Sequence, residues 1–314
     1  MSKKTIVTIL TITLARASFA CDICGCNMSG LYFGFLPMYN THFVGLRYSQ
    51  ASFSAFIDND DFYFEDEFSE DRYQRVELIG RLSLSKKFQF RYIVPYMMNR
   101  MDGSHQSVNS SGVGDPIAMI YYAPINTGND FTREVMHSLM LGGGLKFPVG
   151  QFEKQDNGQL VNRNFQLGSG SLDYLLAINY TARYKTIGIN SEASYKFNTE
   201  NEDNYRFGDQ FNISANFFYY MEMPKLSILP FAGIYYERAE LHKSNNIIEA
   251  NTGGSALLGT VGLQLFRNKL TMNMQYQVPI SQSFNTDDFA SIEGKNRFSI
   301  GVIRSFAFGK RTEQ

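Results

Sequence analysis

The chain has 314 residues with 29 Lys and Arg, 30 Asp and Glu, no Trp and only three Cys. A near-neutral balance gives no reason to expect nucleic acid as a partner, and no segment is apolar for the ~20 residues a transmembrane helix needs. The length instead suits one large all-β domain.

Residues 1–20 read as a secretory signal peptide. Lys3 and Lys4 give a basic start, 5–15 is a short apolar stretch, and Ser18-Phe19-Ala20 supplies small residues at alternate positions for cleavage. The mature chain then begins at Cys21 and carries 26 basic against 30 acidic residues, a net charge of −4. Residues 21–40 are expected to form a periplasmic cysteine-containing segment. All three cysteines lie in Cys21-Asp22-Ile23-Cys24-Gly25-Cys26. Three chemistries fit them: a disulfide with one spare thiol in an oxidising compartment, a Cu or Zn site built from the three thiolates and the Cys21 amine, or lipidation of Cys21. Met28 and His42 are further soft ligands within reach in sequence. The following stretch holds Leu31, Tyr32, Phe33, Phe35, Leu36 and Met38. It needs somewhere dry, which suggests a plug or lid for whatever follows.

From residue 41 the chain is apolar at every second position. A period of two marks strands whose faces see different environments. Twelve strands are predicted: 41–56, 72–84, 87–99, 113–125, 133–147, 170–184, 187–199, 206–221, 226–241, 252–266, 269–280 and 296–308. The connections alternate in kind. Those after even-numbered strands are short, as at Ser85-Lys86, Lys185-Thr186 and Arg267-Asn268. Those after odd-numbered strands are mostly long: 57–71, 100–112, 148–169, 200–205, 242–251 and 281–295. A sandwich has no reason to sort its connections this way. An antiparallel, up-and-down transmembrane β-barrel does, with short periplasmic turns, long extracellular loops and an even strand number. The expected localisation is therefore the bacterial outer membrane, with both termini periplasmic, a monomeric barrel over 41–308 and a tail over 309–314. With Trp absent, the 19 Tyr and 27 Phe would have to form the interfacial belts.

The alternation assigns the faces. Val76, Leu78, Leu82 and Leu84, then Phe88, Phe90, Tyr92, Val94 and Tyr96, would face lipid. A basic side chain on the lipid face costs ~2–4 kcal/mol near the midplane, so the charged residues turn inward. The predicted lumen-lining set is Arg75, Glu77, Arg81, Gln89, Arg91, Asn190, Glu192, Lys196, Asn212, Asn216, Asn273 and Gln275. Two roles stay open for the charges, ion-pair ladders that fill the lumen or a selective solute path. In the last strand Phe298, Ile300 and Val302 alternate, while Arg304 breaks the outward row and is expected to snorkel to the interface.

The middle of the chain resembles a family of outer-membrane transporter-like barrels of the phenol meta-degradation (MetA-pathway) type. The resemblance lies in Gly142-Gly143-Gly144-Leu145-Lys146-Phe147-Pro148-Val149-Gly150, in Gln166-Leu167-Gly168-Ser169-Gly170-Ser171-Leu172-Asp173-Tyr174, and in Gly114-Asp115-Pro116. It implies a barrel that passes or binds small, often hydrophobic compounds. Read from the residues alone, Pro148 and Gly150 end a strand at the outer rim, and Gly168 and Gly170 allow a tight backbone at the start of strand six.

Other chemistry is thin. Asp58, Asp60, Asp61, Glu65, Asp66, Glu67, Glu70 and Asp71 crowd the first long loop without EF-hand spacing, so a solvated acidic loop is expected there. An enzyme is not expected. His137 and Ser138 are neighbours in a strand and point to opposite faces, which forbids a nucleophile–base pair. Gly168-Ser169-Gly170-Ser171 lacks the spacing of a nucleophile elbow. The function expected is a narrow or gated passage, or a binding barrel, for a small solute. The alternatives are a periplasm-facing metal-binding protein anchored by the barrel, or a structural barrel.

Overall fold

The computed structural model describes residues 41–57, 66–104, 107–127, 133–156, 159–160, 163–286 and 290–307. The predicted signal peptide, the cysteine segment, the proposed plug and the 309–314 tail lie outside the described residues.

Twelve long strands form the wall: β1 (His42–Ile57), β2 (Glu67–Ser83), β3 (Phe88–Gly103), β4 (Ile117–Asn126), β5 (Val135–Lys146), β6 (Asp173–Tyr184), β7 (Ile187–Phe197), β8 (Gln210–Tyr219), β9 (Ser227–Ala239), β10 (Gly254–Arg267), β11 (Leu270–Phe284) and β12 (Arg297–Phe306). Each pairs antiparallel with its sequence neighbours, and β12 returns to pair with β1 from His42↔Phe306 to Gln50↔Phe298. Closure removes the sheet edges, as a wall in lipid requires. The fold is an all-β, antiparallel, closed twelve-stranded transmembrane barrel.

The connections sort into a turn end and a loop end. At the turn end β6 and β7 are joined by Lys185-Thr186, and β10 and β11 by Asn268-Lys269. Lys185 and Asn268 both take positive φ, 50° and 53°, as tight hairpin turns require. Outward side chains are mostly apolar, among them Leu46, Leu84, Leu176, Phe217 and Val302. Tyr and Phe ring the two ends of this band. Phe88, Tyr122, Tyr184 and Tyr219 lie at the turn end, and Tyr96, Tyr174 and Phe197 toward the loop end. Arg304 faces out and is exposed, opposite Val44 and Leu270. The turn end is therefore close enough for its guanidinium to reach the interface.

The wall is taller than the alternation predicted on one side. Residues 67–71 belong to β2, β3 runs on to Gly103, and β11 runs on to Phe284. Ser107–Val113 folds back on β3 with Asn99↔Ser110 in register. These segments were expected as loops because their outward faces are largely polar. A strand above the bilayer sees water outside and side chains inside, so its outward face loses the apolar signal. Of the expected acidic loop, Glu67, Glu70 and Asp71 thus sit in β2, and 58–65 lies outside the described residues.

A second difference concerns 113–116. The fourth strand was expected to run unbroken from 113, yet the wall is interrupted there. Below, β3 pairs with β4 up to Ile93↔Ile117. Above, it pairs with the returning segment from Tyr96↔Val113. Pro95 and Pro116 flank the gap, where neither can supply a ladder N–H, and Gly114 N–H donates to the Pro95 carbonyl at 2.9 Å. The break frees Asp115 from the pleat.

Candidate functional site

The inward face has two unlike arcs. On β1 to β6, Phe43, Ile79, Ile93, Met119, Tyr121 and Leu175 form a continuous buried apolar wall. On β7 to β12, inward positions carry amides and hydroxyls, including Asn190, Asn216, Thr260, Gln264 and Gln277. Phe218, Leu229 and Phe231 close this second arc near the turn end.

The predicted lumen set divides between the arcs. Arg75 and Glu77 are buried side by side, with Arg75 Nε 3.3 Å from Glu77 Oε1. Arg47 donates to Glu77 from the other side at 2.5 Å. Arg81 donates to the Thr41 carbonyl at 3.1 Å and lies 4.8 Å over the Phe43 ring. Arg91 donates to Gln89 at 3.1 Å and stacks 4.1 Å over Tyr121. Across the lumen, Asn190 donates to Thr181 at 2.8 Å, and Glu192 accepts from Asn179 at 3.0 Å. Asn212 accepts from the Tyr235 hydroxyl at 3.1 Å. Asn216 and Gln275 line a mid-lumen cavity of about 80 Å³ with Arg47, Glu192 and Arg297. Asn273 sits in register between Gln264 and Gly301. Lys196 lines a loop-end cavity of about 90 Å³ with Ile93, Pro95, Met97 and Leu167. Each cavity has room for only a few waters.

Charge pairing supplies residues that the alternation did not single out. Arg297 on β12 makes a bidentate pair with Glu237 on β9 at 2.8 and 2.5 Å, both buried. Arg47 completes the Glu77 cluster. Arg47 stands directly opposite Glu77 on the neighbouring strand, whereas Glu237 and Arg297 lie on strands that are not neighbours, so periodicity alone could not connect them.

The largest departure is in the connection between β5 and β6, whose described residues 163–171 fold into the barrel mouth instead of standing over it. The motif residues at its base build its anchor. Lys146 lies 3.0 Å from Asp115 and 2.6 Å from Asp173, and it also contacts the Ser169 hydroxyl. Asp115 accepts from the backbone N–H of Gly150 at 2.9 Å, Val149 at 3.1 Å and Ser169 at 2.9 Å. The Ser171 hydroxyl donates to Asp173 at 2.8 Å. The Gly-Asp-Pro, Lys146 and Ser-x-Ser-x-Asp elements are therefore one buried knot. A Cβ on Gly150 would come 2.6 Å from the Leu167 carbonyl, and one on Gly168 2.5 Å from the Gly150 carbonyl. These glycines let two loop backbones touch, and β6 begins only at Asp173.

Held by this anchor, a single 3-10 turn, Arg163–Phe165, enters the mouth. Phe165 is fully buried and stacks on Tyr73 at 5.2 Å. Ser110 donates to its carbonyl at 2.5 Å. On the other flank, Tyr205–Arg206, Lys243–Ser244 and Ile247–Ile248 form a small sheet over the mouth, where Tyr205 meets His242 Nδ1 at 2.8 Å.

His137 and His42 have structural partners. His137 faces outward against the Tyr180 hydroxyl at 2.7 Å, while Ser138 is buried on the inward face. His42 accepts from the Ser83 N–H at 3.2 Å in the wall. Among the described residues, no group of three His, Cys, Asp or Glu is placed to hold a metal. The Cu or Zn ligands expected at Cys21, Cys24 and Cys26 lie outside the described residues.

A family model described as "Putative MetA-pathway of phenol degradation" matches residues 47–284. The chain belongs to this family. The match takes in the whole Asp115–Lys146–Asp173 knot and eleven of the twelve strands in whole or part. None of the curated proteins matches the chain. Among solved structures, an outer membrane channel from Pseudomonas putida F1 superimposes with a TM-score of 0.63 at 14% identity, over 88% of this chain and 99% of that one. The beta domain of the Bordetella autotransporter BrkA gives 0.48 at 9% identity, over 85% and 100%. The first likeness establishes the same barrel architecture.

Proposed function

We propose that this protein is an outer-membrane barrel that gives a small solute a narrow passage, with both termini and the short turns in the periplasm and the long connections outside. The observation that carries this reading is the two-sided lumen. A wall of Ile79, Ile93 and Leu175 faces amides and hydroxyls such as Asn190, Asn216 and Gln277. That contrast suits molecules with one apolar and one hydrogen-bonding side. A purely structural barrel would gain more from packing its interior uniformly.

The family's description points to aromatic degradation, and the Pseudomonas putida barrel is described as a channel. Both agree with a route for small, weakly polar compounds. The twelve inward residues predicted from sequence serve as the lining of this route, with Arg75, Glu77, Arg81 and Arg91 neutralised or stacked locally and the amide arc in contact with solute. The protein acts as a monomer, and residues 21–40, freed by removal of a 1–20 signal, lie at the periplasmic mouth.

Single-channel conductance of the refolded mature protein in planar bilayers tests the reading, with and without residues 21–40. A steady conductance in either form supports a passage, and a rise on truncation assigns 21–40 to the path. Silence in both, with the barrel folded, overturns it.

A further inference from the structure

The slot that holds Phe165 has the anatomy of an occupied ligand site. Its walls are aromatic and apolar. Tyr73 stacks on the Phe165 ring at 5.2 Å with 24° between planes. Phe53 stands edge-on to Tyr73 at 6.0 Å, and Phe284 packs on Phe53 at 6.4 Å. Met101 and Val108 complete the enclosure. The ring itself comes from the in-folded connection and not from the wall.

Beside this apolar slot sit two polar groups that the ring cannot satisfy. Asp71 lies opposite Phe53 and Met101, and Asn99 lies opposite Tyr73 and Ser110. Each is 2% exposed. Asp71 Oδ1 and both amide atoms of Asn99 have no hydrogen-bond partner among the described residues. Buried polar atoms are nearly always paired, and an unpaired one is costly enough to need an explanation. An occupant with a ring and a hydroxyl would fill the slot and bond both groups, whereas the Phe165 ring does only the first.

We infer that this slot binds a small aromatic ring bearing a hydroxyl group, and that Phe165 is its resident competitor, displaced when such a solute arrives. The inference rests on the passage reading and adds to it a place and a gate. Asn164, Gln166 and Leu167, next to Phe165 in the chain, line the loop-end cavity below. Lifting Phe165 out therefore moves the lining of the path, and solute binding is coupled to its opening. A site open only part of the time binds with its affinity reduced by the open fraction, so the competitor sets the solute concentration at which the barrel responds.

Benzyl alcohol, with toluene as the hydroxyl-free control, tests this on the refolded protein. The chain has no Trp, so Phe165→Trp gives a single reporter. Benzyl alcohol should shift its emission to the red, and toluene should need at least tenfold more to do so. Independently of that variant, protection against heat unfolding should appear at a benzyl alcohol concentration at least tenfold lower in Phe165→Ala than in the natural chain. In the same assay Asn99→Leu should lose the preference over toluene. Equal potency of the two compounds, or unchanged affinity in Phe165→Ala, overturns the inference and leaves the passage reading standing. Binding as expected, with no conductance in either the natural chain or Phe165→Ala, would instead sink the passage reading and keep the slot.

Discussion

The two arcs of the lumen solve the same problem, filling the inside of a barrel, by different physics. The arc around Ile79, Ile93 and Leu175 is stabilised by close packing. The arc from β7 to β12 is stabilised by hydrogen bonds among neutral side chains and by the Glu237–Arg297 pair. Packing tolerates no missing volume, whereas a polar wall can exchange one partner for water. The comparison teaches that the apolar arc sets stability and the polar arc sets what can be carried, with one buried charge group as the exception on each side, Arg47–Glu77–Arg75 on the first and Glu237–Arg297 on the second.

Substitutions can break that division. The largest effect is expected from Glu237→Ala, which takes the bidentate partner from a buried guanidinium. Losing one member of a buried pair costs about 3–5 kcal/mol, read from urea unfolding in detergent micelles, and Glu237→Gln should recover part of it. If Glu237→Ala is neutral, the pair is solvated and the exception disappears. Truncating the apolar arc comes next. Ile79→Ala or Ile93→Ala should cost about 2–5 kcal/mol through lost burial and the cavity left behind. Asn190→Ala on the opposite arc should cost no more than about 1 kcal/mol. Similar losses at both positions would erase the comparison.

Smaller effects concern the loop end. Asp115→Ala removes the acceptor that holds three backbone N–H groups of the in-folded connection. Conductance should rise several-fold, while Lys146 keeps Asp173 as its partner. An unchanged conductance would mean that the connection does not restrict the path. The smallest effect is a pH dependence. Asp71 lies above the membrane-spanning part of β2, between the charged outward residues Glu70 and Arg72. Burial, with Glu70 adding to it and a Ser69 hydrogen bond opposing, pushes its carboxyl up from 3.8 to about 6. The folded chain therefore holds this proton more tightly than the unfolded one. Stability gained from protonated Asp71 is present below about pH 4 and is lost as pH rises through 6. Asp71→Asn should accordingly raise the unfolding midpoint at pH 7.5 and leave it unchanged at pH 3.5. A variant equally shifted at both values would tie the effect to packing and not to charge.

Much of this was legible in the chain itself. Alternation over Ile187–Phe197 places Asn190, Glu192 and Lys196 on one face, because a strand turns each successive side chain through half a circle whatever it packs against. The sorting of short and long connections likewise follows from local punctuation such as Asn268, and together these specify an even-stranded barrel with its polar faces inward. The strand ends were less legible. Residues 67–71, 100–103 and 281–284 extend above the bilayer, where the outward face is wet and alternation fades. Most of the site was not legible. Asp115, Lys146 and Asp173 are 31 and 27 residues apart in sequence and fell inside three separate predicted strands. Only closure of the barrel brings them into contact, because pairing register, not local propensity, decides which inward charges meet. The in-folding of 163–171 was decided in the same way. An isolated loop with Phe165 in it has no reason to bury that ring until Tyr73, Met101 and Val108 are assembled around the slot that receives it.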